Sequence, residues 1–398
     1  MDGSTRSYEM ARRLVAMGHE VTIVTSWREL DGRKYWFTTE EDGIQVLWLP
    51  VPYSNHMSYK QRIVSFLKFA WVAARMAATL PADVVFATST PLTIAMPGVY
   101  AARSQKVPLV LEVRDLWPEV PIELKALRNP LLITAARGLE RWAYKHSTEV
   151  VALAPGMKEG VVAMGVAEHL VSVIPNGADI DQISNVRESE IESLRNDYTW
   201  LDSNPLLIYA GAFGHVNDLD FMLTLAEELV DKNPEIKFVA IGDGVRLTEI
   251  QERARDKGTL NKNVFLLGKM SKKEVFRWLS IADAHLVFYK GPKAVWKDCV
   301  SNKLFDAMAS GKPIISNIPG WGPLLAQKFG AGVILDPQNV RESASVLRSC
   351  LLNKTWLARA GERSRALAEE RFSRDKLAAQ LEQRRRAWRG QDSLSPTR

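Results

Sequence analysis

Short apolar runs rich in β-branched residues recur along this chain, each followed by a stretch with helical periodicity. That alternation admits few folds other than parallel sheets covered by helices on both faces. Residues 20–26, 44–50, 83–87, 108–113, 149–154 and 171–175 read as strands, with helical patterns at 5–17, 57–79, 91–104, 129–146 and 155–164. The pattern then starts again. Strands are predicted at 206–210, 236–241, 263–267, 284–289, 313–316 and 332–335, and helices at 218–231, 246–258, 272–281, 302–310 and 340–353. Each half therefore predicts an α/β, Rossmann-like, doubly wound sheet.

Residues 181–204 are polar and charged, ending Asp202-Ser203-Asn204-Pro205, and this composition predicts a linker. The expected layout is an N-terminal domain over 1–185, a C-terminal domain over 205–370, and a helix over 371–390 that crosses back to the first domain. Two domains facing each other across a central cleft suit a length of 398 residues, since each half is large enough for its own core. The tail over 356–389 reads as two helices, the second capped by Ser373, and the composition beyond Gly390 predicts disorder. One departure stands out. A doubly wound domain opens on a strand that leads into a glycine loop, yet this chain opens MDGSTRSYEMARRL, already loop and helix. The first strand is missing: either the true start lies upstream or this domain is compromised.

The cysteines, Cys299 and Cys350, form no disulfide framework, which suits a reducing compartment. No apolar run reads as a secretory signal or a membrane anchor. The net charge of +6 is unevenly placed. Between residues 51 and 110, Lys60, Arg62, Lys68, Arg75, Arg103 and Lys106 face a single acid, Asp83, and such a field attracts polyanions or an anionic membrane surface. Within it, residues 57–79 form an amphipathic helix candidate. It fits a lipid surface and equally a core-packing helix with a basic outer face. Nucleic acid is disfavoured, because its aromatics follow a helix face rather than a stacking platform.

Four motifs stand where chemistry could be. Gly211-Ala212-Phe213-Gly214 follows a strand and precedes a helix, a setting in which backbone N–H groups approach a phosphate; a structural turn is the equal alternative. Ile241-Gly242-Asp243-Gly244 also ends a strand, but Leu247 replaces the third glycine of a dinucleotide fingerprint, which disfavours NAD. Asp298 to Pro313 predicts a helix from Asn302 to Ser310 with Ser301 as N-cap, placing Lys303 and Asp306 one turn apart on one face. A lysine beside a helix N-terminus suits pyrophosphate, and a carboxylate one turn on suits ribose hydroxyls; an exposed ion pair is the alternative. Glu112-Val113-Arg114-Asp115-Leu116-Trp117-Pro118-Glu119 sets four charges at a strand's C-terminal end, where ligands bind such sheets. Asp218-Leu219-Asp220 resembles a metal-binding DxD but reads better as a helix cap. His19, His56, His146, His169, His215 and His285 show no ligand spacing, so no metal site is expected.

Taken in order, STRSYEMARRLVAMGHEVTIVTS, DVVFATSTPLT, LEVRDLWPE, IPNGAD, IYAGAFG, IGDG and NKLFDAMASGKPII resemble the retaining glycosyltransferases of family 4, which have the GT-B fold. LEVRDLWPE and NKLFDAMASGKP are similar to the branch that builds bacterial surface polysaccharides, such as the L-fucosamine transferases of O-antigen and capsule synthesis. The resemblance implies donor phosphates on Gly3 and on Gly211 to Gly214, with Gly242, Gly244, Asn302 and Lys303 also at the donor. It maps the family's acidic pair to Asp298 and Asp306, both Asp rather than Glu. Arg114 stands where the family has a histidine near the acceptor, with Asp115 beside it, and the family's Arg and Lys are absent from GAFGHVNDL.

The expected reaction is retaining transfer from a nucleotide-sugar, expected to be UDP-linked, to a polyprenyl-diphosphate-linked saccharide. The departing phosphate helps take the acceptor's proton, so no protein nucleophile and no cofactor are required. Lys60, Arg62, Lys68 and Arg75 would face the acceptor and the membrane, placing the protein in the cytoplasm at the inner membrane. The rival readings are a non-hydrolysing UDP-sugar epimerase of the same fold and a non-catalytic protein binding nucleotide-sugar or lipid phosphate.

Overall fold

The computed structural model describes residues 6–29, 31–53, 57–201 and 204–390. The chain divides into two compact units, Met1–Pro175 with Leu377–Arg398, and Asn176–Lys376.

In the first unit, β1 (Val21–Trp27), β3 (Ile44–Pro50) and β2 (Phe37–Glu41) form one sheet in the order β1-β3-β2. Strand β2 is an addition to the expected set. It pairs antiparallel with β3 through the turn Asp42-Gly43, whose φ values of 49° and 76° suit a two-residue hairpin. That Asp-Gly pair was the sequence signal for it. Strands β4 (Val85–Thr88), β5 (Leu109–Val113), β6 (Glu149–Ala152) and β7 (Val171–Val173) form a separate, all-parallel sheet in chain order. The central strands β5 and β6 are buried throughout, whereas β1 is only half-buried.

Helix Arg6–Ala16 bridges the two sheets. Its Met10 packs with Val110, Val151 and Ile174, while Ala11 packs with Ile44, Val46 and Trp48. The same helix is pinned at its start. The Arg6 guanidinium donates to Glu112 at 2.6 Å and to the carbonyls of Pro175 and Ile174 at 2.5 and 2.7 Å. Leu377, Ala378 and Leu381 of helix Arg374–Gly390 complete this core.

The second unit holds one six-stranded parallel sheet: β8 (Leu206–Ala210), β9 (Lys237–Ile241), β10 (Val264–Leu266), β11 (Ala284–Val287), β12 (Ile314–Ser316) and β13 (Gly332–Ile334). Its order is β10-β9-β8-β11-β12-β13. Strand order therefore reverses between β8 and β11, and the crevice outside the carboxyl ends of those two strands is the favoured ligand site of such a sheet. Residues 181–204, set apart by composition, belong to this unit and carry helices Ile180–Ser184 and Glu188–Asp197. Their polarity is one-sided: Leu194 is buried, and Trp200 stacks on Phe265 at 3.7 Å.

Candidate active site

A cavity of about 450 Å³ opens at the switch point of the second unit. Its walls come from the ends of β8, β9 and β11 and from the start of helix Asn302–Ala309.

The two glycine loops build one side by interlocking. The Gly211 N–H donates to the Ile241 carbonyl at 2.9 Å, and the Phe213 N–H to the Asp243 carbonyl at 2.9 Å. A Cβ on Gly242 would lie 1.9 Å from the Gly211 oxygen, and one on Gly244 2.6 Å from the Phe213 oxygen. Close loop packing is therefore what these two glycines serve. It also engages N–H groups expected to meet phosphate, since Gly242 donates to Gly268 at 2.8 Å. Among the cavity-lining loop residues Gly211, Ala212 and Gly242, the Ala212 N–H stays outside these bonds. Gly214 and Gly244 do not line the cavity.

The opposite wall is a helix start aimed at the cavity. Ser301 occupies the N-cap position as expected, but its side chain makes no capping bond; its hydroxyl pairs with that of Tyr289. The helix N-terminus thus keeps its positive end without a side-chain cap beside Ser301, Asn302 and Lys303, all of which line the cavity. Lys303 lies 4.7 Å from the Tyr209 ring and 4.1 Å from the Tyr289 ring, and donates to Asn217 Oδ1 at 2.6 Å. Burial pulls its ammonium down to about 7, offset in part by Cys299. Burial raises both phenols, which stay protonated. Asp306, one turn further, lines the same cavity. Met270, Val275 and Leu279 form an apolar end. His285 also borders the cavity; its Nε2 lies 2.9 Å from the Ser310 hydroxyl, and burial lowers it to about 3, so it is neutral near pH 7.

The structure thus brings Gly211, Gly242, Asn302, Lys303 and Asp306 together. Asp298, before the helix, is half-buried and is not among the residues that line the cavity. Gly3 lies outside the described residues. Asn217 and Tyr289 line the cavity and Tyr209 packs against Lys303, and motif reading missed all three. Their signal was position, since Tyr209 lies near the end of β8 and Tyr289 just past β11, the two strands at the switch point. Asp218 caps the next helix by accepting from the Phe221 N–H at 3.2 Å, and Asp220 pairs with Arg246 at 2.8 Å, which bears out the cap reading of the DxD.

Arg114 and Asp115 follow β5 in the first unit. The Arg114 N–H donates to the Ser89 hydroxyl at 3.0 Å, and Asp115 accepts from the Thr90 hydroxyl at 3.2 Å. Burial of its flank raises the Asp115 carboxyl above the usual Asp range, against the Thr90 bond and Arg114, while its outer edge stays exposed. The other two charges of this motif are structural: Glu112 is the buried partner of Arg6, and Glu119 pairs with Arg137 at the surface. Of the basic residues of helix Tyr59–Thr79, Lys60, Lys68 and Arg75 are exposed, whereas Arg62 is half-buried and donates to the Met57 carbonyl at 3.1 Å.

The Glycosyl transferase 4-like domain matches residues 3–177, and the Glycosyl transferases group 1 domain matches residues 190–367. With two Rossmann-like parallel-sheet units and a switch-point cavity, the chain belongs to the GT-B glycosyltransferases and is a transferase enzyme. Among curated proteins it is similar to WcaI of Escherichia coli, named as a colanic acid biosynthesis glycosyl transferase, at 23% identity over 86% of this chain and 87% of that one. Among solved structures it resembles HepE of Anabaena in complex with UDP, with a TM-score of 0.67 and 15% identity, covering 93% of this chain and 100% of that one. It also resembles WaaG, a glycosyltransferase involved in lipopolysaccharide biosynthesis, with a TM-score of 0.66 and 18% identity over 94% of each chain.

Proposed function

We propose that this enzyme transfers a sugar, with retention, from a UDP-sugar to a lipid-linked saccharide in bacterial surface-polysaccharide synthesis. In this reading the second unit binds the donor and the first the acceptor. The observation that carries it is the pairing of Lys303 with an uncapped helix N-terminus on one wall of the switch-point cavity. A pyrophosphate there meets positive charge and a helix dipole, and both stabilise the leaving group as its charge grows. Asp306 accepts from the ribose hydroxyls, and the apolar end at Met270, Val275 and Leu279 takes the base. The departing phosphate receives the acceptor proton, so the step needs no protein nucleophile. Arg114 and Asp115 sit at the carboxyl end of a parallel strand, the position from which such sheets address ligands, and in this reading they contact the acceptor.

Fixed dipoles and Lys303 meet the pyrophosphate charge, so the reading requires no divalent cation. Among the described residues no cluster of three His, Cys, Asp or Glu side chains is placed to hold one. Among those residues, no helix is long and apolar enough to cross a membrane. The acceptor is instead met by peripheral attachment to the cytoplasmic face of the inner membrane through the basic face of helix Tyr59–Thr79. HepE, crystallised with UDP, supports the donor class, and the colanic acid and lipopolysaccharide biosynthesis roles of WcaI and WaaG support the acceptor class.

The test is nucleotide release from a panel of UDP- and GDP-sugars, with and without a polyprenyl-diphosphate saccharide, with and without EDTA. Acceptor-dependent release of UDP is expected, unchanged by EDTA and reduced at least about tenfold by Asp306→Ala, as lost hydrogen bonds to a charged group cost about 1.5–3 kcal/mol. Conversion of a UDP-sugar without acceptor, or no turnover although UDP binds, would overturn the reading.

A further inference from the structure

Asn317 follows β12, is 3% exposed and does not line the cavity, yet three loops of the second unit meet on its side chain. Its amide oxygen accepts from the Tyr289 N–H at 2.9 Å. Its amide nitrogen donates to the Tyr289 carbonyl at 3.0 Å and to Asp218 Oδ2 at 2.9 Å. One buried side chain therefore joins the segments that leave β8, β11 and β12. Main-chain bonds run beside it: the Lys290 N–H donates to the Val216 carbonyl at 2.9 Å, and the Asp218 N–H to the Phe288 carbonyl at 3.4 Å. Among side chains of this size only an amide serves all three partners, because it accepts at one atom and donates twice at the other.

Both residues that Asn317 holds lead to Lys303. Tyr289 sets its ring 4.1 Å from the lysine's ammonium. Asp218 adjoins Asn217, whose Oδ1 accepts from the same ammonium at 2.6 Å. We infer that Asn317 is a positioning residue for donor binding: through Tyr289 and Asp218 it fixes the two contacts that aim Lys303 at the cavity. The inference rests on the reading above, in which Lys303 receives the donor's pyrophosphate. The role is separable from holding the fold. A side chain that only held the fold would cost the site every ligand alike; one that aims Lys303 costs it the diphosphate and spares the nucleoside.

The test is a double-mutant cycle on the full chain, with UDP affinity measured by calorimetry and uridine affinity by competition with UDP. Asn317→Asp keeps the shape of the side chain, loses both donated bonds and sets a second carboxylate against Asp218. UDP affinity should fall about tenfold or more, as when a hydrogen bond to a charged group is lost, while uridine affinity changes less than about twofold. In the Lys303→Met background the same substitution should change UDP affinity less than about twofold, because the group it acts through is gone. Adding Asp218→Asn to Asn317→Asp removes the like charge and returns an amide to the pair, so UDP affinity should recover in part. Circular dichroism follows the thermal midpoint of each variant. Asn317→Ser, too short to join the loops and uncharged, replaces Asn317→Asp if that variant does not fold, with the same expectations; if neither folds, the residue serves the fold and the inference falls. Unchanged UDP affinity, equal losses of UDP and uridine, or an undiminished loss in the Lys303→Met background would each overturn it. If Lys303→Met itself leaves UDP affinity unchanged, the pyrophosphate reading fails and takes this inference with it. If Lys303→Met weakens UDP binding and Asn317→Asp does not, this inference fails alone.

Discussion

Lys303 owes its character to its neighbours. Two aromatic rings flank it, an amide oxygen accepts from it, and its ammonium is pulled down to about 7 by burial. An arriving diphosphate favours the charged form, so donor binding is linked to proton uptake. The sign follows directly: below pH 7 the lysine is already charged and affinity is full, and above it affinity falls as each binding event must take up a proton. UDP affinity measured by calorimetry should therefore decline above pH 7 by up to about tenfold per pH unit, and Lys303→Met should flatten that dependence while weakening binding. Helical spacing alone puts Lys303 and Asp306 on one face, and both line the cavity. Asp298 lies in the segment between helix Lys293–Trp296 and helix Asn302–Ala309, where helical spacing gives no face.

At the scale of elements, the glycine loops work by contact with each other. Gly242 has a φ of 148° and no room for a methyl group against Gly211. Gly242→Ala should thus cost about 1–3 kcal/mol in urea unfolding, as overpacking does, and should weaken UDP binding by displacing the 211–213 loop. Gly211→Ala is the milder change, since its Cβ would meet nothing closer than the Tyr209 hydroxyl at 3.2 Å. The strand-to-helix setting of both loops was legible in the chain. Their mutual packing was not, because it joins residues about thirty positions apart through backbone atoms that every sequence shares.

For the whole molecule, the chain passes between its units at two points, after Pro175 and after Lys376. On the second unit the two passages are joined: Ala178 bridges Ser373, and buried Asp179 accepts from Arg374 at 2.5 Å and from Lys272 at 2.7 Å. Arg374→Met removes one of the two cations that Asp179 meets and leaves Lys272 as the other, so it should destabilise the second unit by about 1.5–3 kcal/mol. Asp179→Asn added to it should restore part of that loss, measured by the shift in denaturant midpoint. A merely local surface contact would show neither effect.

The sequence by itself determined the α/β class, twelve of the thirteen strands among the described residues and the cavity's helix, because strand and helix periods are local consequences of which side chains need burial. Only the tertiary structure decided that the first unit's sheet lies in two pieces bridged by helix Arg6–Ala16, and that helices Ile180–Ser184 and Glu188–Asp197 belong to the second unit. It alone separated Glu112, a buried clamp, from Arg114 and Asp115 beside it in the chain. Charge at a strand end is a local property, but which charge is buried and what it meets depends on segments brought from over a hundred residues away.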